Sequence, residues 1–199
     1  MTNLEEVWFR PYVWTDYRLA LLFNLIIPIV LTIWAFVQRV DCIQRLLAIY
    51  WRVASLAAIT VYLMIGGFAV SFISGLIARI LIPLSIWFWV DLNDEVEYQS
   101  PGALKLVFTS WRWAITLYGT LGAIGTVPFL GCAFSSDSRN SAYCKVWTEA
   151  PLMFKDYFHH NSTPGFLGFL GIVGLIIYII YLTYFVLVKF GKYGRTAVH

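Results

Sequence analysis

GCAFSSDSRNSAYCKVWTEAPLMFKDYFHHNSTP, from Gly131 to Pro164, is the one long hydrophilic stretch in an apolar chain, and it carries two of the three cysteines. Two Gly-rich hydrophobic segments flank it. Cys132 and Cys144 can pair only in an oxidising compartment, so a bond between them fixes the side of a membrane on which the stretch lies. It would close a loop of about 13 residues and stabilise the folded chain by roughly 3 kcal/mol. The other reading is two unpaired thiols. A zinc site is disfavoured because the spacing matches no common ligand pattern.

The surrounding composition sets the class. The chain is 60% hydrophobic and 13% charged, against about 25% charged in soluble domains. That excludes an ordinary soluble globule and predicts an all-α, polytopic membrane bundle. Nine tryptophans and twelve tyrosines suit it, because amphipathic rings collect at the two membrane interfaces. The net charge of +3 is small and dispersed, and without a basic stripe nucleic acid is not an expected partner. Glu5 and Glu6 stand where a secretory signal would be positive, so the first apolar run is expected to be retained.

About five spans are expected. Residues 1–18 interleave Trp8, Phe9, Tyr12, Trp14 and Tyr17 with charges and predict a segment lying at the interface. The first span covers 19–37, LALLFNLIIPIVLTIWAFV. Pro28 within it has no amide to give the carbonyl of Asn24, which predicts a kink. The apolar region Leu46–Val90 is too long for one crossing and predicts a hairpin turning at Gly66-Gly67 or Ser74-Gly75. The second turn, with spans over 53–73 and 76–92, is preferred because it lets Arg79 snorkel to a membrane face. Spans four and five fall at 107–130 and 166–188, joined by an outer loop over 131–165.

Charge balance orients this frame. With the C-terminus cytoplasmic, the inner side holds Arg39, Arg45, Arg52, Lys105, Arg112, Lys189, Lys192 and Arg195, and the outer side Arg10, Arg18, Arg139, Lys145 and Lys155. Eight against five obeys the positive-inside rule. Trp34, Trp51, Trp87, Trp89, Trp111 and Trp113 then form an inner aromatic belt, Cys42 lies inside, and the N-terminus lies outside in the lumen or periplasm.

Candidate sites are few. Gly119, Gly122 and Gly125 precede the loop, and Gly165, Gly168, Gly171 and Gly174 follow it at three-residue steps. Small residues let helices approach closely in lipid, which predicts that spans four and five pack on one another; the steps also leave room at helix interfaces for a lipid, chlorophyll or carotenoid. Arg79 precedes Pro83 by four residues, as Asn24 precedes Pro28. The parallel suggests a polar notch between spans one and three, with Asp16 as the acid nearest Arg79. Asp91, Asp94, Glu95 and Glu97 read as a solvated acidic connection. His159 and His160 beside Asp156 have no ligand or nucleophile spacing, and no histidine lies inside a span, which excludes a bis-histidine haem. Asn161-Ser162-Thr163 fits the glycosylation acceptor pattern. No catalytic residue, metal site or cofactor is predicted.

The strings WFRPYVWTDYRLA, IQRLLAIYWRVASLAAITVYL and ARILIPLSIWFWVDLNDE resemble an uncharacterised family of small integral membrane proteins from cyanobacteria, known only as a domain of unknown function. The resemblance runs from about Trp8 to Glu95. It implies a thylakoid or plasma membrane and partnership with a photosynthetic or bioenergetic complex, and it supplies no catalytic residues. The expectation is a non-catalytic accessory subunit or assembly factor, contacting lipids and protein partners. The alternative is a small solute or ion transporter or channel using Asn24 and Arg79. A membrane enzyme built on His159, His160 and Asp156 ranks third.

Overall fold

The computed structural model describes residues 7–190, with side chains placed through Val188. Residues 1–6, including Glu5 and Glu6, and the tail from Gly191 with Lys192 and Arg195 lie outside the described residues. Every regular element among the described residues is helical. Five helices are long and apolar enough to cross a bilayer, which marks an integral membrane protein whose outer faces contact lipid. They are α1 (Arg10–Gln38), α2 (Asp41–Ile65), α3 (Val70–Trp87), α5 (Ala103–Phe134, its last eight residues a 3-10 turn and a short α-turn) and α8 (Pro164–Val188). Between them lie α4 (Val90–Tyr98), α6 (Ser136–Asn140) and α7 (Ala142–Phe158).

Helix α1 absorbs the second half of the expected interfacial segment, residues 10–18. From Arg10 the chain is already helical and runs unbroken into the first crossing, with Pro11 in its first turn, where the missing amide has no helical partner to lose. Near Pro28 it widens into a π-turn over Leu22–Ile26. The carbonyls left without amides find side chains: Tyr50 Oη donates to Asn24 O at 2.7 Å and Trp111 Nε1 to Phe23 O at 3.0 Å. The expected disturbance at Pro28 is therefore a π-turn tied to α2 and α5.

The hairpin turns at Gly66-Gly67, not at Ser74-Gly75. Helix α2 stops in a Schellman arrangement, with Phe68 N donating to Leu63 O and Gly67 N to Met64 O, both at 3.0 Å. Gly67 adopts φ +68°, the left-handed conformation in which glycine carries no Cβ penalty. The second and third crossings are thus 41–65 and 70–87 in place of 53–73 and 76–92. Ser74 lies inside α3, its hydroxyl 2.9 Å from Thr60 Oγ1 of α2 and 3.1 Å from Ser71 O. Arg79 is consequently held in the middle of α3 and not at its end.

The main core gathers Leu31, Leu46, Leu47, Tyr50, Ile86, Phe108 and Ile115 from α1, α2, α3 and α5. Only part of the expected tryptophan belt faces outward: Trp113 is exposed, whereas Trp89 and Trp111 are buried in this core. Arg112, counted above as an inner surface charge, is also buried. Its guanidinium stacks on Trp87 at 3.9 Å and donates to Asn93 Oδ1, and Asn93 in turn donates to Trp89 O, fixing the α3–α4 corner.

The two glycine series serve different neighbours, so spans four and five do not meet through them. Gly119 and Gly122 of α5 face α3. A Cβ on Gly119 would lie 2.7 Å from Pro83 Cγ and 2.9 Å from Arg79 O, and one on Gly122 would overlap Arg79 Nη1. Gly168, Gly171 and Gly174 of α8 face α2, where a Cβ would meet Gly66 Cα at 2.7 Å, Leu63 N at 2.9 Å and Ile59 Cγ1 at 3.2 Å respectively. Gly125 faces open space. Both series allow close approach as glycines do in lipid, each onto one half of the α2–α3 hairpin.

Candidate functional site: a capped cavity around Asp16 and Arg79

Beyond α5 the hydrophilic stretch folds back over the bundle as a cap. Cys132 and Cys144 are joined by a disulfide with their Cα atoms 5.9 Å apart, bringing the start of α7 against the end of α5. The buried side of the cap, Cys132, Cys144, Val146 and Trp147, packs on Phe9 and Val13 of the α1 end and on Phe72 of α3. A second tie is polar. Glu149 of α7 accepts from Arg10 Nε at 2.9 and 3.1 Å and from Trp14 Nε1 at 2.8 Å. Tyr17 Oη donates to Trp147 O at 2.6 Å. The C-terminal part of α7, beyond these contacts, leaves Leu152, Met153, Tyr157 and Phe158 exposed.

Beneath Trp147 is a cavity of about 130 Å³ bounded by α1, α2, α3 and α5. Asn24 and Arg79, the two polar candidates, both line it, together with Asp16 and Tyr118. Arg79 reaches Asp16 through both terminal nitrogens, with Nη1 to Oδ1 at 3.0 Å and Nη2 to Oδ2. The same carboxylate and its backbone oxygen accept from Tyr118 Oη, each at 3.1 Å. Two parallel N–H donors match a carboxylate's geometry. The arrangement answers the objection to placing Arg79 in mid-helix: a guanidinium in a low-dielectric interior is tolerated when a carboxylate pairs with it. A Cβ at position 122 would overlap Arg79 Nη1, so any larger residue there has to push the guanidinium aside.

Most of the wall is aliphatic or aromatic, including Ala57, Val61, Phe72, Ile82 and Ile115. The hydroxyl of Thr60 is taken up by Leu56 O at 2.8 Å and by Ser74. Asn24, by contrast, bonds through its backbone oxygen, and its side-chain amide has no protein partner.

Sequence reasoning paired Arg79 with Asp16 and set Asn24 in the same notch. It missed Tyr118 and Trp147, which look like ordinary interfacial aromatics in the sequence and acquire their roles only when α5 and α7 are brought over α1. His159 is elsewhere, with Nε2 2.9 Å from Tyr62 Oη. Among the described residues no group of three or more His, Cys, Asp or Glu converges as a metal site.

The family described as "Protein of unknown function (DUF3177)" matches residues 10–198. The chain belongs to that family. The match takes in the cap and α8, well past the strings that carried the resemblance, so the family spans the whole bundle. No curated protein and no solved structure matches the chain.

Proposed function

We propose that this protein is a non-catalytic accessory subunit or assembly factor of a larger membrane complex, with its cap as the contact surface. The observation that carries the reading is a cap tied at its inner side and carrying bare aromatic residues. The disulfide and the Glu149 tie fix its inner side, while Phe134, Tyr157 and Phe158 are 79%, 78% and 72% exposed. Aromatic side chains are enriched at protein interfaces, and a pre-ordered surface loses little conformational entropy on binding. The charge balance and the disulfide support an orientation with the cap and N-terminus on the lumenal or periplasmic side and the C-terminus in the cytoplasm. The resemblance supports a cyanobacterial thylakoid or plasma membrane and a photosynthetic or bioenergetic partner.

A transport role would rest on the Asn24–Arg79 notch. Arg79 is already engaged at two nitrogens by Asp16, so a passing anion would have to displace that carboxylate under the cap. Purification of the tagged protein from native membranes in mild detergent tests the first reading. A co-purifying complex is expected, and migration alone overturns it. For the second reading, uptake across a solute panel that is unchanged in R79L removes the transport role.

A further inference from the structure

We propose that the cavity beneath Trp147 binds a small neutral molecule: a compact apolar body about the size of benzene carrying one hydroxyl or carbonyl, with the Asn24 amide as its hydrogen-bond partner. The inference is independent of the cap's role. Size comes first. The cavity measures about 130 Å³, close to an engineered protein cavity of ~150 Å³ that takes up benzene. Its walls at Ala57, Val61, Phe72 and Ile82 are apolar, and the polar groups of Asp16, Arg79, Tyr118 and Thr60 are already engaged with protein partners, which leaves a water short of the two to four partners it needs.

The charge of the ligand follows from the pair. Asp16 and Arg79 neutralise one another in a bidentate contact, so an added anion or cation would enter a low-dielectric space with no counter-charge. Elimination then identifies the reading group. Tyr118 donates to Asp16, Tyr17 to Trp147 O and Thr60 to Leu56 O. The Asn24 amide offers both an uncommitted donor and an uncommitted acceptor, and Trp147 Nε1, buried without a hydrogen-bond partner, adds a donor but no acceptor. Gly75 lines the same cavity and has room for a Cβ, whose nearest neighbour would be Thr60 Cγ2 at 3.4 Å.

The test uses the purified full chain in detergent and ligand-observed fluorine NMR with 4-fluorophenol, fluorobenzene and 4-fluorobenzoate as probes, and empty micelles as the blank. The expected result is saturable binding of 4-fluorophenol, about tenfold weaker binding of fluorobenzene, and no saturable binding of 4-fluorobenzoate. Asn24→Leu should bring 4-fluorophenol down to the fluorobenzene level. Gly75→Leu, which fills the space, should abolish both. Absence of binding by the wild-type protein, equal or tighter binding of 4-fluorobenzoate, or binding unchanged in a folded Gly75→Leu protein would each overturn the assignment. The three wild-type measurements decide the matter even if a variant does not fold.

Discussion

Replacing Asp16 by asparagine keeps the side-chain shape and removes the charge that Arg79 faces. The two side chains are 16% and 19% exposed for Arg79 and Asp16 respectively, so the guanidinium left behind has little water to turn to. Breaking a buried pair by removing one partner costs about 3–5 kcal/mol. Partial exposure and the retained Tyr118 contact put this case near the lower end, about 3 kcal/mol. At roughly 2–4 °C per kcal/mol for a chain of this size, the midpoint should fall by about 6–12 °C. The informative comparison is a double-mutant cycle, because a charge pair and its hydrophobic replacement differ little in stability even when each single removal is costly. The D16L/R79M protein should be more stable than R79M or D16L alone. Equilibrium unfolding in a fixed detergent, followed by tryptophan fluorescence, measures all five proteins. Should D16N lie within about 0.5 kcal/mol of wild type, or should the two single changes simply add, the pair does not hold α1 to α3 and the reasoning fails.

The glycines give a graded series: G171A meets Leu63 N at 2.9 Å and should cost about 1–3 kcal/mol. G122A should cost a similar amount by pushing the Arg79 guanidinium, and G125A, facing open space, should be neutral or stabilise by up to ~1 kcal/mol through better helix propensity; thermal unfolding ranks the three. Loss of the disulfide in C132S/C144S should lower stability by about 3 kcal/mol and speed proteolysis within Ser135–Ser141, while the Glu149 tie keeps α7 in place. Thiol labelling in membranes separates the two hairpin turns, since a cysteine at Gly67 should react with an impermeant maleimide and one at Ser74, buried against Thr60, should not. The reverse pattern would restore the turn at Ser74-Gly75.

The class and the number of crossings were legible because apolar runs of membrane length leave few alternatives. The disulfide was legible from two cysteines in the one polar stretch, and the α1 disturbance from Pro28. The hairpin turn was misread because a lone Arg79 was weighed by its own desolvation, whereas its position is decided by Asp16, 63 residues away, and by the left-handed conformation at Gly67. The glycine series announced close packing but not its direction: a three-residue step does not say whether α5 and α8 meet each other or the α2–α3 hairpin. Tyr50 and Trp111 have a similar history. Each looks like an interfacial ring, yet each serves a carbonyl in the α1 π-turn, a role set by packing and not by local pattern. The cavity was invisible because no short stretch contains its walls.

The central claim is that the exposed aromatic end of α7 meets a protein partner. A photoreactive phenylalanine analogue in place of Tyr157, activated in native membranes, tests it most directly. One discrete adduct, well above the 22.8 kDa of the chain itself, is the predicted result. Only unshifted chain and lipid adducts after full activation would contradict it.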